Sequence, residues 1–582
     1  MPPPPKPKPA PWPRERLFSL RTGFATAPKD FHLHDLCVPC QTACPAGTDV
    51  PAYLEAVWRD DFAAAYRLNL RDNVFPAVLG RVCTRPCEPA CRHGQRGNGE
   101  PVAICFAKRS SDDFRRRPDA PEVLPPLFPP SGQSVGVIGA GAAGLTAARE
   151  LARAGHAVTV YERAGRAGGL MTRGIPAFRL PADLARREVE QVLAQGITLR
   201  TGVAVGETVR WEELAAAHQA LVVATGCAAL RRPDWPGAEG PGVEHGLPYL
   251  QAAADGAPPP TGRHVLVIGG GFTAVDAARL ARRLGATSVT LACRRRAEDL
   301  YIDAAELHQF ALEGVQAEFG AQPVAILREG GAVTGVRFLR TRPGAPAADG
   351  RPAAEAVPGT EFTLAADQVL LCTGQAPDPR PFAGAENDPR VFFAGDLATG
   401  PGSLIQAVGH AKAVARRVDA ALMGSNRYQD GVRVDPVPTA ATGRPRERNA
   451  IRRFPMPEIA PAERFRAPDL EVETGLGRGE SREEAGRCYF CNHVFEIDNE
   501  LCIYCDRCLK VTPVEGCIVK ISGLNFDAQD RVTGHTPATG ARDYRALWID
   551  QDKCIRCGAC VEVCPVECIG VRRSARETRV QG

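Results

Sequence analysis

At 582 residues the chain exceeds what one hydrophobic core usually serves, so several domains are expected. Its 71 basic and 67 acidic residues nearly cancel, which leaves no long-range field for nucleic acid or an anionic membrane, and partners must be recognised locally. No apolar run approaches the roughly 20 residues that span a bilayer, and the opening MPPPPKPKPAPWPRER lacks a charged-then-apolar signal, so a cytoplasmic chain without membrane insertion is expected.

The 21 cysteines are the strongest compositional feature, because dense cysteines in a reducing compartment usually mean metal. Seven lie between Cys37 and Cys105, eleven between Cys488 and Cys568, and Cys227, Cys293 and Cys372 are scattered between, as core residues. Two metal-rich ends therefore flank a different middle.

In chain order, residues 1–28 read as a disordered, proline-rich tail. Residues 29–125 read as a small helical [4Fe–4S] domain, with helical apolar spacing from Pro51 to Leu79 and cysteine motifs on either side. After a proline-rich connection, SVGVIGAGAAGLTAARELARAGHAVTVYER switches to strand, glycine turn, helix and strand, and HVLVIGGGFTAVDAARLARRLGATSVTLACRRR repeats that pattern. With further strands at ALVVATG, QVLLCTG and RVFFAGD, this gives an α/β fold of two interleaved Rossmann-like dinucleotide-binding domains. The first spans 130–235 and 375–425 and the second 240–372. Residues 426–485 read as a linker strap, and 486–575 as a ferredoxin-like α+β domain.

In the first unit Gly139, Gly141 and Gly144 form GxGxxG, permitting a tight turn, close approach to pyrophosphate and helix–strand packing. Glu162, closing the next strand, can accept from ribose hydroxyls. Asp396 ends a later strand and can bond the ribityl chain of FAD, while the helix starting near Ser403 points its positive end at the flavin ring. The second unit has Gly269, Gly271 and Ala274, followed by Arg294, Arg295 and Arg296 where an acidic ribose ligand would otherwise stand. Guanidinium groups there suit a 2′-phosphate and favour NADP over NAD, with a solvated basic turn as the alternative. No CxxC lies near either glycine turn, so the redox disulfide of thioredoxin-reductase-like enzymes is absent and the flavin must exchange electrons with the clusters.

Near the C-terminus Cys554, Cys557, Cys560 and Cys564 form the CxxCxxCxxxCP run of two-cluster ferredoxins, whose fourth cysteine serves the other cluster. Cys502, Cys505 and Cys508 form the partner run, but Thr512 stands where its fourth cysteine belongs. One set is then Cys502, Cys505, Cys508 and Cys564; the other needs a replacement, assigned to Cys517. Cys488 and Cys491 are left to join Cys517 or Cys568 in a further site. At the N-terminus Cys37, Cys40, Cys44, Cys83, Cys87 and Cys91 exceed one cluster's need. Cys105 makes a seventh ligand toward two clusters, with His34 the candidate eighth, for four [4Fe–4S] clusters in all.

The motifs CQTACPAGTDV, GRVCTRPCEPACR, GAGAAGLTAA, GGLMTRGIPAFRLP, GGGFTAVDAA, GATSVTLACRRR and FFAGDLATGPGSLIQAVGHAK, in that order over residues 30–425, resemble the small-subunit family of NADPH-dependent glutamate synthase. The flavin halves of dihydropyrimidine dehydrogenase and ferredoxin–NADP transhydrogenase share that family. The resemblance implies FAD on Gly139, Gly141, Gly144, Glu162, Gly169 and Asp396, and NAD(P)H on Gly269, Gly271, Ala274, Arg294 and Arg295. It also implies clusters beside the flavin, and Phe272 departs from the family's usual Asp. The ferredoxin extension looks like that of flavoprotein subunits serving 2-oxoacid oxidoreductases or aromatic acyl-CoA reductases. The expected function is electron transfer between NAD(P)H and a catalytic oxidoreductase subunit or ferredoxin, in a hetero-oligomer. A free-standing NAD(P)H:ferredoxin oxidoreductase and a glutamate synthase small subunit are the alternatives; intact glycine turns disfavour a scaffold without turnover.

Overall fold

The computed structural model describes residues 38–95, 99–118, 120–300, 302, 304–347, 350–437, 450–526 and 532–580. The proline-rich tail, His34 and Cys37 lie outside them. The chain builds two five-stranded parallel sheets. The first runs Val391–Phe393, Ala220–Val223, Ser134–Ile138, Ala157–Glu162, Thr198–Thr201; the second runs Val243–His245, Gln368–Leu371, His264–Ile268, Ser288–Cys293, Gln316–Phe319. Their central strands, with Val135, Val137, Val265 and Val267 buried, carry the continuous apolar runs that a sheet covered on both faces requires.

The chain leaves the first sheet after Ala220–Val223, completes the second, and returns to add Val391–Phe393 to the first. The two crossing segments pair antiparallel where they meet, Ala229–Leu230 against Gln375–Ala376. A four-stranded antiparallel sheet, Ala321–Glu329, Ala332–Pro346, Pro352–Ala356 and Phe362–Ala365, is inserted in the second domain and packs Val336 and Phe338 under its parallel sheet.

The N-terminal module is helical. Helices Val50–Trp58 and Phe62–Asn73 begin at Asp49 and Asp61, whose carboxylates accept the Ala52 and Ala64 N–H groups at 3.2 and 2.9 Å. The module docks on the first domain through buried Glu188, which accepts from Tyr66 Oη at 2.7 Å and from the Ala77 N–H at 2.9 Å. Helix Leu404–Met423 presses Gly409 onto the chain at Pro45, where a Cβ would lie 2.4 Å from the Pro45 carbonyl, and Lys412 donates to the Ala46 and Asp72 carbonyls at 3.0 Å each.

The region 426–485 is more structured than a linker. Strand Tyr428–Pro436 is an edge of a C-terminal sheet, pairing with Ile569–Val580, which pairs in turn with His493–Ile497. Its charged YQDGVRVDP hides the period-2 signal because both faces of this edge are largely polar. Residues 450–477 lie across the second domain and the helical module, placing Val472 in the former's core and Arg464 against Glu313 and Glu458. Helix Arg478–Gly486 then enters the helical module, where buried Glu484 accepts from the Ala103 and Phe454 N–H groups at 2.7 and 2.9 Å. A second C-terminal sheet comprises Val532–Pro537, Ile518–Phe526 and Ala546–Ile549.

The strap's anchor is electrostatic. Glu313 receives Arg279 at 2.8 and 3.0 Å, Arg283 at 2.9 Å and Arg464 at 3.0 Å, all of them buried. Burial alone would raise the Glu313 carboxyl, but the guanidinium groups of Arg283 and Arg279 overcome it and hold it down to about 2. A depressed carboxylate stabilises fully above its unfolded value and loses that contribution as pH falls toward the folded value. Glu313→Ala should therefore lower stability by about 3–5 kcal/mol at neutral pH, because buried cations lose their partner. Chemical denaturation of the variant and parent should show this gap narrowing from about pH 4.5 downward.

Candidate functional site

The first glycine turn follows strand Ser134–Ile138. Gly139 has φ +100°, and a Cβ there would meet the Ala224 carbonyl at 2.6 Å; a Cβ on Gly144 would lie 1.8 Å from the Gly139 carbonyl. A Cβ on Gly141, at the start of helix Ala142–Arg153, would point into open space, which leaves that side of the helix N-terminus accessible to a pyrophosphate. Glu162 is fixed beside the turn, accepting the Ala140 and Ala164 N–H groups at 2.8 Å each. Gly169, at φ +54°, closes over the turn so tightly that a Cβ would meet Gly141 Cα at 2.8 Å.

Asp396 returns to this same place. The Gly395 turn before it abuts the first turn of helix Ala142–Arg153, with Ala143 Cβ 2.5 Å from a Cβ built on Gly395. Burial raises the Asp396 carboxyl, and the Gly402 N–H partly offsets that. Ser403 donates from both its N–H and its hydroxyl to Gln406 Oε1 at 2.8 Å, fixing the start of helix Leu404–Met423. Open cradle, strand-end carboxylate and second phosphate-proximal carboxylate together fit FAD.

The second turn has the same build. A Cβ on Gly269 would lie 2.3 Å from the Cys372 carbonyl, Gly271 faces open space, and Ala274 is fully buried in the helix–strand contact. Cys293 and Cys372 lie directly beneath this turn. Arg296 is engaged by Glu298 and Asp299 at 2.9 and 2.8 Å, whereas Arg294 is exposed and Arg295 half-buried at the strand end. Phe272 lies under Arg179, whose guanidinium is 5.6 Å from the ring and is held by Asp276 at 2.9 Å and Glu306 at 2.7 Å.

The cysteines fall into four groups. Cys44, Cys83, Cys87 and Cys105 gather in the helical module, with the Cys83 and Cys87 thiols raised by hydrogen bonding to Cys105 and by burial. Lys108 is buried beside all four; burial opposes its charge, yet these sulfurs raise it. Cys502, Cys505, Cys508 and Cys564 line a cavity of about 310 Å³, with Cys568 also on its wall and its sulfur 3.5 Å from that of Cys564. Cys517 stands with Cys554 and Cys560, beside Cys557, and Thr512 hydrogen bonds to Cys517 rather than competing with it. Cys40 and Cys91 lie apart from the first group, and Cys488 and Cys491 line a cavity with them rather than joining Cys517 or Cys568. Two of the groups, Cys502 with Cys505, Cys508 and Cys564, and Cys40 with Cys91, Cys488 and Cys491, line cavities, and sets of four cysteines suit [4Fe–4S] clusters.

Cys517→Ser should remove the iron of one cluster, about four ions per chain, while the flavin stays bound. Colorimetric iron and sulfide against flavin absorbance in the purified variant checks this.

Residues 133–411 match the pyridine nucleotide-disulphide oxidoreductase family, 35–119 match dihydropyrimidine dehydrogenase domain II with its 4Fe-4S cluster, and 547–570 match a 4Fe-4S binding domain. The chain is 33% identical over 509 residues to the NADP(+)-dependent formate dehydrogenase subunit beta of Moorella thermoacetica, covering 78% of this chain and 71% of that one. It is 35% identical over 377 residues to the NADPH-Fe(3+) oxidoreductase subunit beta of Geobacter sulfurreducens, covering 63% of this chain and 55%, about half, of that one. Against the glutamate synthase [NADPH] small chain of Mycobacterium tuberculosis identity is 33% over 455 residues, covering 69% of this chain and 88% of the relative. Cradles and cysteine groups agree with these matches: the chain belongs to the glutamate synthase small-chain-like family of pyridine-nucleotide, flavin and iron–sulfur oxidoreductases.

Proposed function

We propose that the chain exchanges electrons between NADP(H) and a partner redox subunit through FAD and several [4Fe–4S] clusters. FAD supplies the conversion between hydride pairs at the nicotinamide and single electrons at the clusters. What carries the reading is continuity: Cys44, Cys83 and Cys105 share an apolar core with the first dinucleotide domain, Cys87 shares the next with Cys91, Cys488, Cys491 and Cys557, and Cys554 and Cys560 share the last with Cys502, Cys508 and Cys564. The route ends at the surface, where Cys505 is exposed beside Leu501 and Ile503, exposed by 46% and 58%. Exposed apolar side chains around a redox centre suit docking of a partner, here a catalytic oxidoreductase subunit in a hetero-oligomer. A reducing, cytoplasmic setting accords with this thiol content. Among the described residues no helix is long and apolar enough to cross a membrane.

Arg294 and Arg295 are the residues assigned to the 2′-phosphate of NADP. Replacing both by Gln removes charge-assisted bonds, so KM for NADPH should rise roughly tenfold or more with KM for NADH little changed. Anaerobic flavin bleaching by each nucleotide measures this; an unchanged preference would leave the arginines as a solvated turn. Failure of both nucleotides to bleach the flavin would refute the proposed function.

A further inference from the structure

Cys488 and Cys491 are far in sequence from any cluster motif of the helical module, yet they lie inside it. They follow helix Arg478–Gly486, which is locked into that module by Glu484 and by the Ser110–Ser481 hydroxyl pair at 2.6 Å. The loop delivers their sulfurs to a cavity of about 360 Å³ whose other thiols are Cys40 and Cys91, with Val50, Leu54, Val102 and Ile104 as apolar wall. Cys40, Cys488 and Cys491 are each no more than 8% exposed, and Cys91 is half-buried.

Two comparisons within the molecule show what such a cavity is for. Like the cavity lined by Cys502, Cys505, Cys508 and Cys564, a ferredoxin ligand set, it brings four cysteines together against an apolar wall. The loop carrying Cys488 and Cys491 also has the backbone of the ferredoxin CxxC loops. Phe490, Tyr504 and Arg556 occupy the same third position and all adopt left-handed φ, at +49°, +52° and +56°, a conformation costly for residues other than glycine. In the first two loops this turns the N–H onto the first sulfur: Phe490 donates to Cys488 at 3.3 Å and Tyr504 to Cys502 at 3.4 Å. Three loops do not share one strained conformation without a shared task.

We propose that Cys40 and Cys91 of the helical module and Cys488 and Cys491 of the C-terminal segment together ligate one [4Fe–4S] cluster, a site that neither segment completes alone. Sixteen cysteines then fall into sets, with Cys568 a further sulfur on the wall of the Cys564 set. Cys44, Cys83, Cys87 and Cys105 are a full set without His34, Cys37 is not required, and four groups of four cysteines take four clusters. Position gives the site its role. Its apolar surroundings include Cys87 of the flavin-side group and Ile555 and Cys557 of the ferredoxin domain, so a cluster held there would stand between the two and would supply a one-electron relay between them.

The inference rests on the chain holding iron–sulfur clusters, and the test keeps the two claims apart. Full-length protein, Cys488→Ser/Cys491→Ser and Cys37→Ser are purified anaerobically and assayed for iron, sulfide and flavin. The double variant should lose about a quarter of its iron with full flavin, and Cys37→Ser should lose none. NADPH should still bleach the double variant's flavin, but electron paramagnetic resonance should show the ferredoxin clusters reduced at least tenfold more slowly. Full iron in the double variant, or the same loss in Cys37→Ser instead, would overturn the assignment; parent protein without iron would overturn the functional reading itself. Should the double variant not fold, Cys91→Ser and Cys491→Ser decide: both should perturb the same resonance of the reduced protein, and perturbation of different resonances, or of none, counts against the shared site.

Discussion

Buried thiolates brought side by side repel one another unless something cationic sits between them. Burial, and after it the neighbouring sulfurs of Cys491, Cys488 and Cys91, raise the Cys40 thiol, and burial and the sulfurs of Cys554 and Cys557 do the same to Cys560. Iron resolves this by taking the thiolates as ligands, and the ligated clusters remain anionic. The protein meets that charge with buried cations: Lys108 beside the Cys105 group, and Arg92 and Arg556 where the helical module meets the ferredoxin domain, 6% and 2% exposed. Arg556 donates to the His493 and Gln551 carbonyls of its own domain at 3.0 and 2.7 Å, and Arg92 reaches the same Gln551 carbonyl from the helical module at 2.9 Å, so Arg92 also joins the two domains. Chain segments more than 350 residues apart are thus brought to the same sulfurs, held there by Arg92 as well as by Glu484 and the Ser110–Ser481 pair.

The middle of the chain is arranged around a second constraint, the close approach of backbone to backbone at the glycine turns. Gly144 against Gly139, Gly169 against Gly141 and Gly395 against Ala143 stack three turns at one helix N-terminus. That stack is possible only because the chain returns from the second domain to the first, carrying Asp396 with it. The same return supplies helix Leu404–Met423, whose Gly409 and Lys412 hold the chain at Pro45 and Ala46 next to Cys44. Flavin cradle and first cysteine group are thus positioned by one element.

Features with local signatures were legible in the sequence. Both glycine turns, the interleaved sheets and the arginines at the second strand end follow from short-range patterns, and the missing fourth cysteine at Thr512 pointed to Cys517. Features that depend on distant segments were not. Nothing near Cys488 signals that its neighbours are Cys40 and Cys91, since the pairing is set by helix Arg478–Gly486 lodging in another module. The N–H···S turn it shares with Cys502 was visible only as a CxxC, whose backbone conformation is not a sequence property. Strand Tyr428–Pro436 and the antiparallel insert around Phe338 were missed for a related reason: strands with many charged and partly exposed positions carry little periodicity until their partners are known.

If electrons cross the chain in a fixed order between nucleotide and surface, that order is visible in time. Rapid freeze-quench electron paramagnetic resonance after anaerobic mixing with excess NADPH, read alongside flavin absorbance, tests it most directly. Flavin bleaching should come first and reduced-cluster signals should follow it, reaching the ferredoxin pair without added mediator. Bleached flavin with clusters that stay oxidised until a mediator is supplied would mean that no such path connects them.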